Sequence, residues 1–403
     1  MPELEIKPVE SGRDKKQFVQ FAWSLYRDDE NWIPPLRQNI QELLGFRPHP
    51  FHDVADVRTW LAWRDGEVCG RIAGIVNHVH NEKYEEKRGF FGFFESVDDQ
   101  EVATGLFDTV RSWLAEQGIH DIRGPVNPSL NYEVGLLIDG FDSPPTFQMT
   151  YNPPYYEKLI ENYGFAKVQD LFAFWGHLDM LSSLDDKLAF VIREVDRRFE
   201  LNYRSLDRKR FNEDVRSFLN IYNASLDGTW GFTPLSEGEI DHLSRGLRHL
   251  IVPELTTIAE DDGRPVAAAF GLLDYNPLIK KIDGRLFPFG FIRLLMGRKN
   301  IPRARMISTN VLPEYQRWGL GLVLLAKLLP DGLSWGMSEV EFSWVLESNH
   351  LSFKSLQRGG AKLIKSYRIY DFSAPEAERG AAASKEPFVC CTGVWRRRGT
   401  LPI

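Results

Sequence analysis

Cysteine is scarce in this 403-residue chain: Cys69 stands alone, and Cys390 and Cys391 adjoin near the end. Thiols so placed make neither a disulfide framework nor a zinc site, and their sparse use fits a reducing cytoplasm. No apolar stretch reaches the length of about 18 residues that a membrane-spanning helix needs. The opening, MPELEIKPVESGRDKKQF, is charged where a secretory signal would be oily. Positive charge is lacking too. The formal net charge is -7, so the chain as a whole offers nucleic acid no electrostatic footprint, and no nucleic-acid partner is expected. His78 and His80 have the spacing of a metal pair but no third ligand, so solvated histidines and no metal are expected.

Core material is plentiful. Hydrophobic residues make up 43% and aromatics 13%, enough for two or three domains at this length. Up to about residue 175, strand and helix patterns alternate. LEIKPV reads as a strand and DKKQFVQFAWSLYR as an amphipathic helix. Two β-rich runs flank Asp65-Gly66, a hairpin signal, and further on come a strand (RGFFGFFESV), a helix (QEVATGLFDTVRSWLAEQG) and a strand (IHDIRGPV). The second half repeats this order, with its own hairpin at Asp262-Gly263. Gly263 lies 197 residues after Gly66, and Gly360 lies 196 after Gly164. A common element order at nearly one offset points to a duplication. The expected organisation is an α/β domain over 1–175, a joint near 176–195 and a second α/β domain over 196–373. An insertion at 276–303 and a tail of disordered composition at 374–403 complete it.

The stretch PEYQRWGLGLVLLAKLL puts Gly319 and Gly321 at the mouth of an apolar helix, where each costs roughly 1 kcal/mol relative to alanine. Either a tight turn needs positive φ there, or an anion approaches the unpaired N–H groups of the helix start. Gln316-Arg317-Trp318-Gly319-Leu320-Gly321 resembles the Q/R-x-x-G-x-G/A loop with which GNAT acyltransferases hold the pyrophosphate of coenzyme A. A strand precedes it, a helix follows, and Asn349 and Gly360 match the family's second cofactor segment. The resemblance implies tandem GNAT-like domains, each a mixed, largely antiparallel sheet flanked by helices. It also implies coenzyme A or acyl-CoA as co-substrate, held by Val311, Leu312, Gln316, Arg317, Trp318, Gly319, Leu320, Gly321 and Asn349. The first half has Ser96-Val97-Asp98-Asp99-Gln100 at the same junction, with two carboxylates and no glycine, so one cofactor site is expected.

Acyl transfer to an amine needs a polarised carbonyl, a neutral amine and a proton route. Where many GNAT enzymes carry a tyrosine acid, this chain has Leu356, which leaves Tyr367 or Tyr370 as the acid, or water. Glu347, at the end of EFSWVL, is the expected base, with His350 and Glu314 behind it. Asn310 alternates with Thr309 on the strand before the loop and is expected to face the pocket. Asn127, Asn131 and Glu133 sit among turn formers past a strand end, a common place for substrate contacts. Trp230 reads as a pocket wall or as a core aromatic.

From Asn276 to Met306 there are eight Lys/Arg residues and one acid, Asp283, interleaved with Phe and Leu. Cations flanking aromatics suit a bilayer interface, so 280–299 is the expected contact with the inner membrane, unless the segment folds onto its own domain. WIPPLR, GFFGFFES, YNPPYYEKL and GRLFPFGF resemble a bacterial family of tandem GNAT-like proteins across most of 15–372. By fold analogy and the oily insertion, the chain resembles bacterial ceramide synthases, which N-acylate a sphingoid base from a long-chain acyl-CoA, and these are the expected functional relatives. The resemblance therefore implies an acyl-CoA-dependent N-acyltransferase with a small-molecule or lipid amine as acceptor. A catalytically silent acyl-CoA-binding module and a small-molecule N-acetyltransferase are the alternatives.

Overall fold

The computed structural model describes residues 3–183 and 186–375. All but the first two residues of the expected tail lie outside the described residues. Both hairpins form where the sequence places them. Ala55–Arg64 pairs with Glu67–Asn77 around Asp65 (φ 53) and Gly66 (φ 80), and Thr256–Asp261 pairs with Arg264–Leu273 around Asp262 (φ 46) and Gly263 (φ 80). Two successive positive φ values are what a tight primed turn requires, which is why Asp-Gly serves twice.

Each half continues with one parallel pair. Arg88–Ser96 runs parallel to Asp121–Gly124 in the first, and Arg303–Val311 to Glu339–Leu346 in the second. The crossovers are the helices Gln100–Ala115 and Leu320–Trp335. The second helix buries Leu320, Val323, Leu324 and Leu328, an i, i+3, i+4, i+8 stripe, against the sheet. The remaining strand pairs are antiparallel, so the sheet is mixed with an antiparallel majority.

The last strand of each half leaves its own sheet. Ala166–His177 pairs with Glu339–Leu346 of the second half, and Lys362–Ser373 pairs with Asp121–Gly124 of the first. The two travellers also pair with each other, from Lys362↔Trp175 to Asp371↔Ala166. A single 13-stranded sheet results. Residues 1–175 and 196–373 thus mark chain order, and their sheets are interlocked. The apolar clusters cross over likewise: Phe174 belongs to the second-half core and Tyr370 to the first-half core. Strand pattern alone carries no information on which edge a strand joins, because the ladder bonds are backbone bonds common to every strand.

Among the helices that went unread, two are of ten residues or more. Asp186–Phe199 occupies the expected joint, and its Val191, Val195 and Phe199 recur at i, i+4, i+8 toward the second-half core. Glu237–Leu247 opens with a capping box between Ser236 and Glu239, a signal present in the sequence. The histidines at 78 and 80 start the short helix His78–Tyr84. There His80 is buried against Glu86 at 2.7 Å, while exposed His78 meets Asp56 at 2.9 Å.

Candidate active site

Pairing between Arg303–Val311 and Glu339–Leu346 ends at Met306↔Phe342, after which the two strands part. Asn310 and Trp344 stand on the parted ends, and the Asn310 Nδ2 and Trp344 Nε1 are buried without a partner. Unsatisfied buried donors are costly, so each marks a place where a ligand can supply an acceptor. The Asn310 carbonyl oxygen is engaged by the hydroxyls of Ser225 (3.1 Å) and Ser308 (2.8 Å).

Beyond the first strand, the chain makes the Gln316–Gly321 loop. Gly319 caps the helix at φ +86 and Arg317 stands at φ +68. No described residue accepts from the backbone N–H groups of Arg317 through Gly321, which leaves a donor-lined helix start suited to an anion. Exposed Trp318 lies under the Arg198 guanidinium at 3.8 Å. In the first half the same position is closed: the Asp99 carboxylate accepts from Glu101 and Val102 N–H at the start of its helix.

A cavity of about 220 Å³ lies between the halves, where the parallel strands of the first half part after Phe90↔Arg123. Phe93, Leu136, Phe147, Met149 and Ile33 give it an oily wall, and Leu250, Asn276 and Ile279 close it from the second half. Two carboxylates line it. Glu95 accepts from the Tyr26 and Tyr156 hydroxyls, both at 2.7 Å, and burial raises its pKa. Burial pushes Glu133 up to about 7, against the lowering effects of a hydrogen bond with Asn127 and of the Arg305 charge. A carboxyl near 7 in an oily pocket has the titration of a general base at neutral pH.

Residues 145–149 lie between this cavity and the parallel strands of the second half. Pro145, Phe147, Gln148 and Met149 face the cavity. From behind, the Arg305 guanidinium donates to Phe147 O (3.1 Å) and Gln148 O (3.3 Å), and the Ser343 hydroxyl meets Met149 Sδ at 3.3 Å. Thr146 donates to Glu341, and Asp274 accepts from Phe147 N–H at 3.0 Å. Arg305 and Glu341 form the last rung but one, so this segment is anchored next to where the strands separate.

Solved structures share this fold. A tandem GNAT protein from the clavulanic acid biosynthesis pathway superposes with TM-score 0.54 over 93% of this chain and 99% of its own, at 12% identity. A GCN5-related N-acetyltransferase from Sphaerobacter thermophilus gives 0.52 over 92% and 95%, also at 12% identity. No family model matches the chain. Protein YghO of Escherichia coli (strain K12) is 35% identical over 364 residues, 89% of this chain and 92% of that protein. The bacterial ceramide synthase of Caulobacter vibrioides (strain NA1000 / CB15N) is 32% identical over 378 residues, 92% of this chain and 97% of that protein. The chain belongs to the family of these two proteins. Its fold is the tandem GNAT fold.

Seen as a tandem GNAT protein, the chain puts the expected site residues in three groups. Asn127 and Glu133 line the cavity, and Asn310 stands at the strand opening. Arg317, Trp318, Gly319, Leu320 and Gly321 form the donor-lined loop, whose free N–H groups fit a pyrophosphate. Other residues are engaged structurally. The Gln316 amide donates to Val311 O (2.9 Å) and Ser225 O (3.1 Å), bracing the loop from inside. Leu312 N–H donates to Val266 O at 3.0 Å, so it is not free to hold a carbonyl. Asn349 caps the helix His350–Arg358 by accepting from Ser352 N–H. Gly319 has a packing reason as well: a Cβ there would sit 2.6 Å from Val191 Cγ1 of the unread helix.

Glu347 does not fit the role of base. It is held by Lys167 at 3.0 Å and by Asp170 N–H at 3.2 Å, a strand-end brace between halves. Tyr367 is fully buried with an unpartnered hydroxyl, and burial together with Glu341 drives its pKa well up. It is held in its protonated form. Asn131 joins the halves instead of lining the cavity, donating to Thr233 O at 2.8 Å and accepting from Tyr222 at 3.3 Å. Trp230 lies under the Arg123 guanidinium at 4.6 Å against a core cluster, the aromatic-packing alternative. The site that sequence reasoning missed is the Glu95–Tyr26–Tyr156 cluster. Its members are 61 or more residues apart, and only the cavity shows that they belong together. Among the described residues no group of side chains has the arrangement of a metal site.

Proposed function

We propose that the protein is an acyl-CoA-dependent N-acyltransferase whose acceptor is a long-chain amine. The observation that carries this reading is the oily cavity with Glu133 on its wall, set against the strand opening of the half that has the donor-lined loop. Bound acyl-CoA would supply the activated carbonyl, and the N–H groups of 317–321 and the Arg198–Trp318 stack would hold its phosphates. Within the cavity the Glu133 carboxylate attracts an ammonium head, while Glu95 is already engaged by Arg71 and two tyrosines, and the Phe and Leu walls accept a hydrocarbon tail. Glu133, titrating near 7, takes the proton that makes the amine nucleophilic. Tyr367, held protonated beside Arg305 and Glu341, is the proton donor of this scheme. The name of the Caulobacter relative supports a sphingoid-like base as the amine.

The test is thiol release and amide formation, followed by mass spectrometry, from a long-chain acyl-CoA with either a sphingoid base or a short polar amine. Amide from the sphingoid base, reduced about a hundredfold or more in Glu133→Gln, is expected. Amide formed only with the short amine would replace the lipid acceptor by a polar one. Leu356 at the usual acid position favours a second reading, a silent acyl-CoA-binding module. Calorimetric binding of CoA with no amide from either amine would establish that reading instead.

A further inference from the structure

Six of the twelve large apolar side chains that the described residues expose lie within ten positions: Phe287, Phe289, Phe291, Ile292, Leu295 and Met296. The others are scattered singly, which is ordinary for a protein surface; a contiguous patch is not. The patch surrounds the helix Gly290–Gly297, whose Gly290 and Leu294 alone face inward. Exposed Lys280, Lys281, Arg285, Arg293 and Lys299 flank it.

The charge sorting is structural. Asp283, the one acid among these cations, is engaged from the first half by Trp23 Nε1 (2.6 Å) and the Arg37 guanidinium (2.7 Å), and its half-exposed carboxylate also meets Arg285 of the rim at 3.5 Å. Arg37 N–H bonds Gly284 O at 3.0 Å, so the insertion is seated on the first half rather than hanging free. An oily helix face rimmed by cations, on a protein of net charge -7, complements a negatively charged, apolar-cored surface. The same insertion continues into the cavity, which Asn276 and Ile279 line together with Pro35 and Leu36.

We infer that this face docks the protein on an anionic lipid bilayer, with the cavity beside the bilayer so that a lipid amine enters from it. Phe287, Phe289 and Met296 insert below the headgroups, and the rim cations meet lipid phosphates. Docking is read without turnover, so its failure leaves the acyl-transfer reading standing.

The experiment is flotation of the full chain with vesicles of phosphatidylglycerol and phosphatidylcholine, against vesicles of phosphatidylcholine alone. Wild type is expected to float with the anionic vesicles and weakly with the neutral ones. Lys281→Gln/Arg285→Gln/Arg293→Gln lowers the anionic partition about a hundredfold, at about 1 kcal/mol per cation. Phe287→Ser/Phe289→Ser/Met296→Ser lowers it at least tenfold. All six side chains are exposed, so unchanged thermal melting checks the fold. Failure of wild type to float, or flotation indifferent to both triple variants, overturns the inference. So does a wild-type dimer in light scattering that the serine variant makes monomeric, since the patch would then cover a second copy.

Discussion

Replacing Glu133 by glutamine removes one ionisation and almost no volume, which isolates the feature that singles this residue out. Burial lifts its carboxyl from 4.5 to about 7 in the folded chain. Between those values the folded state binds more protons than the unfolded state, so stability falls as pH rises and the loss is complete above pH 7. At about 1.4 kcal/mol per pH unit, the rise from 4.5 to about 7 amounts to about 3 kcal/mol, an upper figure because the Glu133 side chain is only partly buried and solvent screens its charge. Unfolding entropy of about 2.1 cal/mol/K per residue gives about 0.8 kcal/mol/K for a chain this long, so 3 kcal/mol corresponds to roughly 4 °C. Melting of wild type and Glu133→Gln by calorimetry at pH 5 and pH 8 measures it. The difference in Tm, variant minus wild type, should rise by up to roughly 4 °C between the two. A difference independent of pH would refute both the burial argument and the case for Glu133 as the base.

Gly319→Ala should cost about 1–3 kcal/mol, because φ is +86 and the new Cβ meets Val191; Val191→Ala should restore part of it, read as a coupling in denaturant melts. Asp214→Ala breaks a buried pair in which Arg204 grips Asp214 at 2.7 and 2.8 Å, and should cost about 3–5 kcal/mol by the same melts. Glu347→Gln should change stability by about 1 kcal/mol or less and leave amide formation within a few-fold, since its partner Lys167 is partly exposed. Tyr367→Phe removes an orphaned buried hydroxyl, so melting should hold or rise; slower amide formation at intact CoA binding would separate its proton-donor role from packing.

Much of this was legible from short-range signals. Asp-Gly between β-rich runs forces a primed turn, and both hairpins are there. Gly319-Leu320-Gly321 before an apolar stripe forces a helix start with free N–H groups, and the structure has one. Glu347 shows where such reasoning stops: a carboxylate at a strand end is catalytic or structural according to what lies across from it, and Lys167 comes from 180 residues away. Gln316 and Asn349 are similar. Their amides fit a ligand by pattern, yet backbone groups engage them: Asn349 caps its own helix at Ser352 N–H, and Gln316 donates to Val311 O and, 91 residues away in the chain, to Ser225 O.

The sequence by itself determined the duplicated α/β order, the asymmetry between Asp99 and the glycine loop, and the sorting of cations with aromatics over 280–299. These follow from local rules: turn geometry, helix-end electrostatics and side-chain character. Tertiary structure alone decided that the halves exchange their last strands, that Glu95 and Glu133 meet in one cavity, and that Asp283 meets Trp23 and Arg37 of the first half while six apolar side chains face out. Each of these depends on which distant surface a segment packs against. Burial, and with it the pKa of Glu133 and the availability of every polar group, is a property of that packing and of no single stretch of chain.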